Sequence, residues 1–187
     1  VLRDLLFRNQ ELLVDLEKNE SMNFGFQRNG HLTLCNTEKG LEEAAGKAKK
    51  ASALGVPTEV LSAKEVQEME PNVRMNVHGA VYYPRDAHRH PGQLMNQLKS
   101  ILHKRGVAFR FNTEIIDIEE KSEGRVDVVS SDRQKLRGTH VVLCCGAWTP
   151  KLMKPLKFKL PLQAGKGYSL TLKNPPQLPR VNFLLAE

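Results

Sequence analysis

Residues 138–153 read "GTHVVLCCGAWTPKLM", and this stretch decides the reading of the whole chain. Five apolar residues, Val141 to Cys145, run into Gly146, then Ala147, the only tryptophan (Trp148), and Thr149-Pro150. An unbroken apolar run of this length predicts a strand buried on both faces. The Thr-Pro pair predicts a helix start. A glycine at such a strand end lets a ligand reach the backbone without meeting a Cβ. In open α/β sheets, ligands bind beyond the carboxyl ends of the strands.

Working outward, the upstream order from residue 90 is a helix, three strand-like stretches, and the apolar run. Pro91 suits the first position of the helix, which Gly106 ends. "VAFRF", "TEIIDIEE" and "RVDVVSS" follow, with Gly124 turning the last pair. This order predicts part of an α/β nucleotide-binding fold. Downstream, "KLPLQAGKGYSLTL" predicts one long or bent strand.

The N-terminal half has another character. Leucines at helical spacing predict an amphipathic helix over residues 1–19. "MNFGFQ" and "GHLTLC" flank Arg28-Asn29-Gly30, which predicts a hairpin. An alanine-rich helix is expected from Glu38 to Leu54, stopped by Gly55. Ser62 and Glu65 form a capping-box pattern, Pro71 closes that helix, and "VHGAVYYP" predicts a strand. The expected fold class is α+β or α/β. An antiparallel-sheet domain with helices (1–89 and the returning strand 158–187) is interleaved with part of a Rossmann-like domain (90–157).

Composition narrows the function classes. An apolar content of 40% with 26% charged residues suits a globular core. No apolar run approaches the ~18 residues that cross a bilayer. Three cysteines, two adjacent within an apolar run, are no disulfide framework and suggest the cytoplasm. The net charge of +7 is concentrated late: residues 146–187 carry seven Lys/Arg and one acid, against ten and twelve in residues 1–75. Such a patch can meet nucleic acid, anionic lipid or a phosphate-bearing cofactor. At 6% aromatic content no stacking platform for bases is expected, and no nucleic-acid partner. "HRH" (88–90) lacks a completing Cys or carboxylate cluster, so no metal is expected. No G-x-G-x-x-G is present, since Gly165-Lys166-Gly167 has no third glycine after it.

The ordered set "GHLTL", "LSAKEVQEMEPNV", "GAVYYPRDAHRHP", "LHKRGVAFRFNTEIIDIE" and "VVLCCGAW…KGYSLTL" resembles flavin-dependent enzymes of the D-amino-acid oxidase/sarcosine oxidase/glycine oxidase superfamily. Within it, the D-amino-acid dehydrogenases of the small-subunit type are the nearest in pattern. The resemblance covers essentially all 187 residues. It implies FAD in the full-length protein, with the chain as an internal portion between a pyrophosphate loop and a C-terminal segment.

It also implies a reaction: hydride passes from the amine-bearing carbon of a D-amino acid to flavin N5, and the imine hydrolyses to keto acid and ammonia. The protein then supplies orientation and electrostatics. Gly146, Ala147, Trp148 and Ile115 are implied along the cofactor, Ile115 through its backbone at the adenine. Lys166 and Tyr168, with Tyr83 and Arg85, are implied at the substrate, whose carboxylate calls for an arginine fork. No residue is implied as a chemical catalyst. A respiratory electron acceptor, and hence association with the inner face of the membrane, is a further implication. The competing expectations are a glycine- or sarcosine-type amine oxidase and a non-catalytic basic binding module. Cys144 and Cys145 are expected as buried small hydrophobes.

Overall fold

The computed structural model describes residues 1–121 and 124–186. They form two compact units, Val1–Val107 with Leu172–Glu187, and Ala108–Thr171. The breaks fall after residues 107 and 171, where sequence reading set domain limits at 89/90 and 157/158.

The first unit is built on a four-stranded mixed sheet in the order β2-β3-β1-β7. Its strands are β1 (His31–Cys35), β2 (Glu59–Ser62), β3 (Gly79–Tyr83) and β7 (Asn182–Ala186). β3 runs antiparallel to both β1 and β2, while β7 runs parallel to β1 with His31 opposite Asn182. Side chains alternate across the pleat. On one face Leu32, Leu34, Leu61 and Ala80 pack with Val66 of α3 (Ala63–Met69) and with Val181. On the other, Cys35 and Val81 meet Ala44 and Ala48 of α2 (Glu38–Ala53). Small residues line that helix face, so it seats close to the strands.

Local signals hold where the chain needs no distant partner. α1 (Leu2–Asn19) forms as the leucine spacing predicts, although only Leu13 and Leu16 reach a buried cluster, with Met22, Phe24 and Leu94. The Ser62/Glu65 capping box is complete at the start of α3. Pro91 opens α4 (Pro91–Lys104), where His90 is the N-cap and its Nδ1 accepts from the Gln93 N–H at 3.2 Å.

The hairpin expected across residues 28–30 does not form. Both edges of β1 are taken, by β3 and β7, so residues 22–27 have no open strand to join. They pack instead on α4: the Asn23 N–H donates to the Gln97 side chain at 2.8 Å, and Phe24 is fully buried. Gln27 makes one isolated bridge with His88.

The second unit carries an antiparallel meander, β4 (Ile115–Glu120), β5 (Val126–Ser130) and β6 (Lys135–Gly138). Opposite one another on β5 and β6, Asp127 and Arg137 make a two-pronged ion pair at 2.8 and 3.2 Å. The guanidinium holds the buried Asp127 carboxyl below its usual range. Two expectations fail here. Residues 140–145 are not a buried strand: Val142 is 83% exposed and Cys144 is exposed. Residues 160–172 are not a strand either. An extended segment becomes a strand only when a neighbour takes its N–H and C=O groups, and neither segment has a ladder partner among the described residues. "VAFRF" likewise stays irregular.

Candidate functional site

The second unit holds an open groove of about 700 Å³ at the Gly-Ala-Trp turn. One wall comes from the entry to β4, with Thr113, Glu114 and Ile115; the other comes from Cys144, Cys145, Gly146 and Trp148, closed by Lys151 and Leu152. Residues 146–148 make one 3-10 turn, continued directly by the short helix α5 (Thr149–Met153). Gly146 sits at φ +54, a left-handed conformation that glycine adopts without a Cβ penalty. Nothing lies within 4 Å of the point where a Cβ would stand. The backbone at Gly146 therefore faces free space in the groove.

Three of the four residues expected at a cofactor, Ile115, Gly146 and Trp148, thus share one groove although Ile115 and Trp148 are 33 residues apart in sequence. Ala147 lies in the same turn and is exposed, without lining the groove. Trp148 is 74% exposed, so its ring is available as a surface. α5 has only five residues, with a proline in its first turn. It is too short to serve as an anion-binding helix start. The lining is otherwise apolar apart from Glu114, Lys151, the Thr113 hydroxyl and the two thiols.

Cys144 and Cys145 do not pack as buried hydrophobes. Cys144 is exposed, Cys145 half-buried, and both face the groove as free thiols. The expected burial required the 140–145 strand, and it is lost with it. Sequence reading missed Thr113, Glu114, Lys151 and Leu152; their only signal was adjacency to Ile115 and to the Gly-Ala-Trp turn.

The four residues expected at the substrate divide between the units. Lys166 and Tyr168 belong to the second, where the ammonium lies 5.5 Å from the tyrosine ring centroid and Tyr168 is 93% exposed. Tyr83 and Arg85 belong to the first. The Arg85 guanidinium lies over the Phe7 ring, 3.6 Å from its centroid, and the side chain of Gln10 donates to the Arg85 carbonyl at 2.6 Å. Stacking engages the π-face of the guanidinium, which keeps its in-plane N–H fork for an acceptor. Tyr83 ends β3 beside His31 at 6.4 Å between centroids. Burial, then the nearby Asp86 and Cys35, push its phenol above the ordinary range, so it stays a neutral hydrogen-bond donor.

The model of the DAO family, described as FAD dependent oxidoreductase, matches residues 2–185. A D-amino acid dehydrogenase of Helicobacter pylori is 32% identical over 169 residues, 90% of this chain and 40% of that protein. One from Rhizobium johnstonii is 33% identical over 165 residues, 86% and 39% of the two chains. Among solved structures, glycine oxidase from Geobacillus kaustophilus superposes with a TM-score of 0.71 at 24% identity, over 81% of this chain and 40% of that one. This last likeness is one of fold. The chain spans about 40% of the length of the curated relatives it matches.

Proposed function

The chain belongs to the DAO family of FAD-dependent oxidoreductases, and from that premise we propose that it contributes cofactor and substrate contacts to an FAD-dependent D-amino-acid dehydrogenase. The observation that carries the proposal is the meeting of Ile115, Gly146 and Trp148 on one groove. Its lining fits a flat, partly apolar cofactor with an anionic portion: a glycine with free space before it, apolar Ile115 and Leu152, an exposed indole, and the cationic Lys151. Gly146, Ala147, Trp148 and Ile115 would hold FAD there. When bound, FAD supplies the acceptor for the hydride leaving the substrate carbon.

On this reading the second unit, with residues 108–171, belongs to the cofactor domain, and the sheet of the first unit to the substrate domain. The Arg85 fork would receive the substrate carboxylate as a paired, charge-assisted contact. Tyr83, kept neutral by its surroundings, would donate a hydrogen bond. Lys166 and Tyr168, on the loop of the second unit that carries them, would offer an ammonium and a phenol to a substrate. A D-amino acid is favoured as substrate by the relatives' shared name, D-amino acid dehydrogenase. A respiratory electron acceptor and peripheral contact with the membrane belong to the same proposal. No helix among the described residues is long and apolar enough to cross a membrane.

The test uses the protein at the length its source encodes. Its flavin absorbance is recorded without oxygen while D-alanine, D-proline, glycine and sarcosine are added in turn. Bleaching by a D-amino acid is expected. Bleaching only by glycine or sarcosine would move the activity to an amine oxidase. A preparation that binds no flavin would refute the assignment of the groove.

A further inference from the structure

Glu70 is a fully buried carboxylate with no place in the proposed chemistry. No Lys or Arg forms an ion pair with it among the described residues. A buried charge of this kind persists only when its oxygens are hydrogen-bonded. Both are, by successive backbone amides 110 and 111 residues away: the Arg180 N–H donates to one oxygen at 2.8 Å and the Val181 N–H to the other at 2.6 Å. The same Arg180 residue is held on its far side, where the Asn29 amide donates to the Arg180 carbonyl at 3.0 Å. Asn29 is itself held through its carbonyl, which accepts from the Tyr82 hydroxyl at 3.1 Å.

The residue that carries the carboxylate is also held by local contacts within residues 66–75. Glu70 caps the end of α3, its own N–H donating to the Val66 carbonyl. The Gln67 side chain donates to the carbonyls of Glu70 and Val73 and accepts from the Met75 N–H, all at 2.9–3.0 Å. That ties the 70–75 loop to the helix.

What the clamp holds is β7, which begins one residue beyond Val181. The side chains of β7 cannot hold it alone: Phe183, Leu184 and Leu185 are 40%, 59% and 60% exposed. Only Val181, at the clamp, is buried in the core. We infer that Glu70 is a latch which fastens β7 to the sheet at one end and sets its register against β1, so that β7 is a strap releasable at residues 180–181. A slip of one residue would exchange the faces of Phe183 and Leu184, and the paired grip on residues 180 and 181 forbids it. The inference concerns the first unit alone and stands apart from the flavin assignment.

The test is residue-resolved hydrogen exchange on Glu70→Gln. The amide keeps the size of the side chain but offers one acceptor to two donors, so exchange at the β7 amides should rise at least thirtyfold while β4–β6 stay within threefold of the parent. Unchanged exchange in β7 would overturn the inference. So would an equal rise across β1, β2 and β3, since Glu70 would then be one more core residue. If Glu70→Gln does not fold, Asn29→Ala decides, because it keeps the carboxylate and releases the other side of the clamped residue. A rise confined to β7 supports the latch, and none overturns it.

Discussion

Alanine at position 30 is the sharpest probe of how the first unit is assembled. Gly30 has φ +76, and a Cβ there would stand 2.5 Å from the Tyr82 hydroxyl and 2.6 Å from its Cζ. The left-handed conformation costs alanine about 1–2 kcal/mol. Forcing a methyl into a filled site adds about 1–3 kcal/mol. The ring cannot move aside freely, because its hydroxyl donates to the Asn29 carbonyl and its body packs on the Leu32–Leu34 cluster. The expected loss is therefore about 2–5 kcal/mol, the sum of these two contributions. Tyr82→Ala removes the obstacle, so on that background the glycine-to-alanine change should cost only the conformational part, about 1–2 kcal/mol. The two substitutions should then couple by about 1–3 kcal/mol in a double-mutant cycle. Urea unfolding followed by circular dichroism at 222 nm reports the first unit, which contains α1 to α4. The fluorescence of the single tryptophan, Trp148, reports the second and serves as the internal control. Equal costs with and without the ring, or a loss appearing in the tryptophan signal, would refute the reasoning.

Two further outcomes bear on the second unit. Gly146→Ala places a methyl in free space, so its stability cost should be only the conformational ~1–2 kcal/mol, while flavin affinity should fall about tenfold or more, ~1.4 kcal/mol; unchanged affinity by equilibrium titration would remove Gly146 from the cofactor surface. Asp127 has its acidity raised first by the hydrogen bonds from Arg137, so its folded pKa lies below the unfolded value of about 3.9. Its stabilisation is then present above that value and is lost as pH falls through the folded pKa. Asp127→Asn should lower stability at neutral pH and flatten the acid loss below about pH 4, read from the Trp148 signal; a slope as steep as the parent's would sink the assignment. Glu119 and Asp132, also depressed by their partners, keep the flattening partial.

What the sequence determined by itself is what neighbouring residues can settle among themselves. Leucines at helical spacing made α1, Ser62 with Glu65 capped α3, Pro91 opened α4, and Gly124 stands at φ +68 ahead of β5. The lining of the candidate groove was legible to the same degree: Gly146 and Trp148 stood out as a glycine and a lone indole ending an apolar run, and Ile115 through the family resemblance. The tertiary structure alone decided which strands pair. β2, the polar β6 and the late β7 carry too little pattern to be seen, and each exists because a partner accepts its hydrogen bonds. For the same reason "VVLCC" and "GYSLTL", strand-like by every local measure, stay irregular where no such partner stands among the described residues. Glu70 is the extreme case. In sequence it is one acid among many near the end of a polar helix. Its burial and its hold on residues 180 and 181 come from a contact 110 residues away, and no local pattern encodes a contact at that distance.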